Sequence, residues 1–132
     1  MKLTKLSLIL GAAALLAACG DPRPPEEIVA ERAQARWDAL ISREFETAWD
    51  YYTPGFREHT DSRDYDVEMR GRAVVWTDAE VVSAECEEDR CEVSVQVAYR
   101  IPHAPAQLSG MESSRRINET WIGIDRQWWY AE

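Results

Sequence analysis

From Cys91 to Ile101 the chain alternates without a break. Cys91, Val93, Val95, Val97, Tyr99 and Ile101 are separated by Glu92, Ser94, Gln96, Ala98 and Arg100. A period of two over this length is the pattern of a strand with one buried face. Val74 to Glu85 reads as a second long strand, partly apolar on both faces, and Glu87-Glu88-Asp89-Arg90 joins the two as a hairpin. Cys86 and Cys91 flank that loop, where cross-strand Cβ atoms come within disulfide reach. In the chain-entropy model so short a loop contributes about 2 kcal/mol. The same register sets Val82 and Ala84 on the face of Val93 and Val95. Zinc is the competing use of the two cysteines. It needs two more ligands, and His59 and His103 are the only histidines, so no metal is expected. Ser113 to Ile124 returns as a third strand, Asp125-Arg126 turns the chain, and Gln127 to Tyr130 is the last strand. Trp121, Trp128, Trp129 and Tyr130 make this terminal hairpin densely packed.

Helical spacing precedes the strands. Pro25 suits a first helical position, Glu26 and Glu27 complement the positive end of the dipole, and Val29, Ala33, Trp37, Leu40 and Ile41 repeat on one face. Arg32, Arg36 and Arg43 are read as a solvated face, with a stripe for an anionic partner as the competing reading. Phe45, Ala48, Trp49 and Tyr52 predict a second helix over 44–52, ended by Thr53-Pro54; Gly55 turns the chain and Phe56 tucks into the core. In residues 61–71, Tyr65, Val67 and Met69 alternate as in a strand, but Ser62 as N-cap, Tyr65 and Met69 four apart, and Gly71 as stop favour a short helix. Asp61, Asp64 and Asp66 lack the glycine and distal glutamate of a calcium loop.

The N-terminus carries an address. Lys2 and Lys5 form a positive region, and Leu6 to Ala18 is an apolar run that closes in small residues. This is the pattern of a secretory signal, too short to span a bilayer comfortably. Leu16-Ala17-Ala18-Cys19 resembles the lipobox of bacterial lipoproteins. The resemblance implies cleavage before Cys19, a thioether to diacylglycerol there, and acylation (palmitate) of the new N-terminus. Two or more acyl chains give a stable anchor. Gly20 after the cysteine favours the outer membrane over the inner, with the domain facing the periplasm; Asp21 one residue later complicates the sorting. Cys86 and Cys91 are then left as a pair in an oxidising space, and residues 19–25, rich in proline, form a stiff tether to one domain spanning 26–132.

Loss of the 18-residue leader leaves 114 of 132 residues, enough for a single core. It also removes both lysines, so the net charge of −9 becomes −11, with thirteen arginines as the only strong cations. That balance argues against a nucleic-acid partner, which needs phosphate neutralisation, and against a polybasic membrane helix.

Helices followed by a meander of long strands predict an α+β fold with the helices on one face of an antiparallel sheet. The pieces Arg36-Trp37-Asp38-Ala39-Leu40, Phe45-Glu46-Thr47-Ala48-Trp49-Asp50-Tyr51, Thr53-Pro54-Gly55-Phe56-Arg57, Trp76-Thr77-Asp78-Ala79-Glu80-Val81, Glu119-Thr120-Trp121 and Gln127-Trp128-Trp129-Tyr130 resemble small proteobacterial lipoproteins with a nuclear transport factor 2-like (cystatin-like) domain. The resemblance implies a curved sheet wrapped around helices with a pocket at the open end. It hosts isomerases and dehydratases as well as domains without chemistry, and its members often pair through the sheet face. Trp37, Trp49, Tyr52, Tyr99 and Trp121 are the candidate pocket lining, with core packing as the competing role.

His59, His103, Asp50, Asp78, Tyr51, Tyr52 and Tyr99 could serve acid–base chemistry, but no spacing forces two of them together. There is no phosphate loop and no nucleophilic serine motif, so no catalytic residue and no cofactor is assigned. The expectation is a membrane-anchored, non-enzymatic binding or assembly module of the cell envelope, with an envelope protein or a second copy as partner. The alternative is a small hydratase or isomerase acting on a hydrophobic substrate in the cone pocket.

Overall fold

The structure, a computed structural model, describes residues 21–132. The leader and Cys19 lie outside the described residues. Four helices precede four strands: α1 Pro25–Ile41, α2 Phe45–Trp49, α3 Pro54–His59, α4 Ser62–Arg70, then β1 Val75–Glu87, β2 Arg90–Arg100, β3 Glu112–Ile124 and β4 Gln127–Ala131. The strands form one antiparallel meander in the order β1-β2-β3-β4, with α1 packed mainly on β1 and β2 and the short helices extending that layer. This is the α+β arrangement that the sequence predicts. No helix among the described residues is long and apolar enough to cross a membrane.

The alternation in β2 places Cys91, Val93, Val95 and Val97 in the core, against α1 residues Val29, Ala33, Trp37 and Leu40. The Cys86–Cys91 disulfide is formed, and those residues pair across β1 and β2. Glu87 pairs with Arg90, so the connection tightens to Glu88-Asp89, with Glu88 at φ 53°. Register breaks between Trp76 and Asp78 and between Val81 and Ser83 correct the expected facing of Val82. It falls in the second break and is 47% exposed, while Val81 sits opposite Val95. Each bulge adds a residue and bends the strand. Val82→Ser is therefore expected to change stability by less than about 0.5 kcal/mol, whereas Val95→Ala costs about 2 kcal/mol. Urea denaturation of the two variants checks this; equal losses would contradict the register.

Each sheet edge has two of its backbone groups satisfied from outside the sheet. On β1 the Gln34 amide takes two backbone partners, donating to Ala79 O (2.9 Å) and accepting from Val81 N (3.0 Å). On β4 Tyr130 N donates to Tyr51 O (2.8 Å) and Thr53 N donates to Tyr130 O (3.2 Å). Backbone groups satisfied in this way are not free to pair with another chain. The β3–β4 turn, Asp125-Arg126, has φ 52° and 63°, the two left-handed residues of a tight hairpin turn.

Three local expectations change. Thr53-Pro54 does not merely stop a helix: Pro54 opens α3, and Thr53 caps it by accepting from Phe56 N (3.3 Å). Asp61, not Ser62, caps α4, accepting from Arg63 N and Asp64 N (both 2.9 Å). Arg43 is not on a helical face. It lies past the end of α1 at φ 60°, where Arg43 N donates to Leu40 O and Glu44 N to Ala39 O, a Schellman closure with arginine in the usual glycine position.

A candidate binding cavity and a second concavity

Arg36 overturns the reading of a solvated arginine face. It occupies the same stripe of α1 as Val29, Ala33 and Leu40, and is 4% exposed. Opposite it, Glu119 keeps the inward parity of Ile117 and Trp121 on β3 and is 3% exposed. Arg36 Nη1 donates to Glu119 Oε1 at 2.9 Å. Trp37 Nε1 donates to the same oxygen at 2.8 Å, and Trp121 Nε1 donates to Oε2 at 3.1 Å. The carboxylate thus accepts three hydrogen bonds, which is how a buried anion is made tolerable. The guanidinium lies 3.7 Å from the ring centroid of Tyr130 and 5.3 Å from that of Tyr52.

Around this pair stand four stacked or edge-on aromatic contacts. Tyr52 stacks on Phe56 at 4.0 Å and meets Tyr130 and Tyr65 edge-on at 4.9 and 5.4 Å; Trp37 meets Trp76 edge-on at 5.7 Å. Burial pushes the phenol of Tyr130 up to about 12, and pushes that of Tyr65 well above its ordinary value. For Arg36, burial acts to lower the pKa, but Glu119, followed by Tyr130 and Tyr52, outweighs it and the net direction is up.

Beside the ion pair is a cavity of about 190 Å³, with Trp37, Tyr52, Tyr65, Trp76, Ile117 and Glu119 in its wall and Arg72, Arg115 and Glu132 also lining it. Of the candidate lining residues, the structure brings Trp37 and Tyr52 to this cavity. Trp121 is 0% exposed and lies in the core behind Glu119, taking the packing role. Trp49 is elsewhere, its Nε1 donating to Thr60 O at 2.8 Å. Tyr99 borders a separate depression with Ile101, Leu108 and Met111, because β2 carries it past the helical layer. His59 and His103 are exposed; His59 Nδ1 is 2.8 Å from Gly55 O. Asp50 and Asp78 are exposed as well, and neither lines the cavity. The sequence reading missed Arg36 and Glu119, although helical phase and strand parity each marked an inward position.

A larger surface groove, about 700 Å³, lies on another side, between α1, the α2–α3 connection and the β3–β4 turn. Arg32 is there, its Nε donating to Trp128 O at 2.8 Å and its guanidinium 5.0 Å from the Tyr51 ring. Burial pushes its pKa down.

No family model and no curated protein sequence matches this chain. Its shape does have counterparts among solved structures. A SEC-C motif containing protein from Rhodopseudomonas palustris is similar at TM-score 0.58 and 16% identity, over 76% of this chain and 72% of that one. A second, from Psychrobacter arcticus, is similar at TM-score 0.61 and 12% identity over 85% of this chain; the chain spans 63% of that protein, less than two thirds of its length. A nuclear transport factor 2-like transpeptidase from Campylobacter jejuni is similar at TM-score 0.49 and 14% identity, over 76% of this chain and 94% of that one. At these identities the likeness concerns the fold alone.

Proposed function

We propose that this chain is a lipoprotein anchored through Cys19 and facing the periplasm, in the outer rather than the inner membrane, and that its nuclear transport factor 2-like domain is a non-enzymatic binding or assembly module. The state of Glu119 carries the choice against chemistry. It is the buried carboxylate of the cavity wall, and Arg36, Trp37 and Trp121 take three of its roughly four acceptor positions, with Arg36 as its counterion. To act as a general base it would have to give up that pairing to take a substrate proton. The two histidines are exposed and the other acidic lining residue, Glu132, is the exposed C-terminal residue. The cavity is also smaller than the roughly 300 Å³ at which ordinary ligand pockets begin. A hydratase or isomerase would need a larger space and an acid or base tuned to neutral pH; the Tyr65 phenol in the wall has no partner among the described residues, but burial raises its pKa well above the ordinary value. The anchor reading is supported by Leu16-Ala17-Ala18-Cys19, by the proline-rich segment that follows, and by a disulfide suited to an oxidising compartment.

The test is fractionation of a Gram-negative host expressing the chain. The native protein is expected to sediment with outer membranes and to enter solution only with detergent. Cys19→Ser is expected to remain uncleaved, held by its leader in the inner membrane, and to incorporate no labelled palmitate. Native protein found free of membrane without detergent, or palmitate label retained in Cys19→Ser, would overturn the proposal.

A further inference from the structure

We propose that the surface groove seats the phosphate of an anionic phospholipid head group; this rests on the anchor reading above. Two arginines converge on one indole there. The Arg57 guanidinium is 4.8 Å from the ring centroid of Trp129 and 5.3 Å from that of Trp49, and the Arg32 guanidinium is 5.7 Å from that of Trp129. Both arginines are partly buried and both line the groove. Among the described residues neither has a carboxylate within ion-pair distance, and neither does Arg126, which also lines the groove. In a chain with 24 acidic residues, two adjoining cations without a counterion leave local positive charge that an external anion would neutralise. Arg57 Nε and Trp129 Nε1 are also buried with no acceptor from the described residues. Guanidinium forks suit phosphate oxygens.

The position of the groove selects the source of the phosphate. Asp21 lies at its mouth, two residues beyond Cys19. Asp21, Arg23 and Pro25 line the groove and Arg23 pairs with Glu31, so this segment lies against the domain rather than spacing it as a tether. Two residues of chain span at most about 7 Å, so a lipid on Cys19 would keep the groove close to the head groups. Tyr51, Trp128 and Trp129 in its wall are the residue types that settle at a membrane interface. The acidic groups at the rim, Asp21 and Asp50, leave room for a single phosphate but oppose an extended polyanion.

The full native chain, purified from host membranes in non-ionic detergent, is titrated with dihexanoyl phosphatidylglycerol below its micelle concentration, following tryptophan fluorescence. Saturable binding is expected. It should weaken at least tenfold in Arg32→Gln/Arg57→Gln, and stay unchanged in Arg100→Gln/Arg116→Gln. Dihexanoyl phosphatidylcholine, inorganic phosphate and an acidic hexapeptide should each bind at least tenfold more weakly. No saturation, unchanged affinity in the double variant, or tighter binding of the peptide or of free phosphate overturns the proposal. Should the glutamine variant fail to fold by circular dichroism, Arg32→Lys/Arg57→Lys decides, since charge without the fork should still weaken binding severalfold; unchanged affinity there overturns the proposal too. The mass of the same sample reports the Cys19 adduct separately, so failure of the anchor and failure of the groove are distinguishable.

Discussion

Glu119→Ala is expected to lower the stability of the domain by about 3–5 kcal/mol, because it leaves the Arg36 guanidinium charged and buried without its partner. Trp37 Nε1 and Trp121 Nε1 lose their acceptor in the same step, and each unpaired donor adds to the cost. At roughly 4 °C per kcal/mol for a domain of this size, the melting temperature falls by about 12–20 °C. Arg36→Met leaves the opposite defect, a buried carboxylate that retains only the two indole donors. The combination Arg36→Met with Glu119→Gln removes both charges and keeps an oxygen for one indole. It is expected to recover more than half of the loss, since exchange of a buried ion pair for neutral groups of similar volume is often close to neutral. A double-mutant cycle of Arg36→Met, Glu119→Gln and their combination, read by thermal melting, measures the coupling. Additive losses would mean that the two groups do not face each other in the folded chain.

Alkali should unfold the domain over a window set by its buried phenols. Tyr130 is held up to about 12 and Tyr65 is raised further, both chiefly by burial. In the unfolded chain each ionises near its ordinary value of about 10. Between these limits the unfolded state releases protons that the native state keeps, so the unfolded state is favoured as pH rises. The contribution of the two phenols is whole below about pH 10, and that of Tyr130 is spent by about pH 12. Tyr52 sits against both rings and Arg36 against that of Tyr130, so ionisation there also disturbs the centre of the helical layer. Absorbance at 295 nm and ellipticity at 222 nm, read in parallel, check this. The tyrosinate signal of these two residues should appear only together with loss of ellipticity. Complete tyrosine ionisation with ellipticity intact would show that the phenols are reached by water without unfolding.

Much of the fold is legible because its strongest signals are local. Cys91 to Tyr99 alternate in the sequence, and their odd members lie inward as far as Val97. The helical stripe of α1 and the tight Asp125-Arg126 turn are legible for the same reason. The misses occur where tertiary partners decide. Val82 has the chemistry of an inward residue, but a bulge that no composition marks turns it out to solvent. Pro54 reads as a breaker, although its lost N–H costs nothing at a first helical position, so the same dipeptide that closes one helix opens the next. Arg36 and Glu119 show the opposite error. Each is in phase with an apolar stripe, at i+3 from Ala33 and at i+2 from Ile117, but the charge of Arg36 points to a solvated face and Glu119 is given no facing by the sequence reading. Only the fold brings positions 83 residues apart to 2.9 Å, where each makes the burial of the other tolerable. The groove is not legible in the sequence, because Arg57 and Trp129 join Arg32 only through the crossing of α1, α3 and β4.

The proposed anchor, compartment and groove all depend on a lipid at Cys19. Intact-mass and peptide mass spectrometry of the native protein from its membrane should find residues 1–18 removed and Cys19 carrying a diacylglycerol thioether with an acylated amino group. Cys86 and Cys91 should remain joined in the same molecule. A chain that retains Met1 through Ala18 with a bare thiol at position 19 would contradict the anchor, the compartment and the membrane-facing role of the groove together.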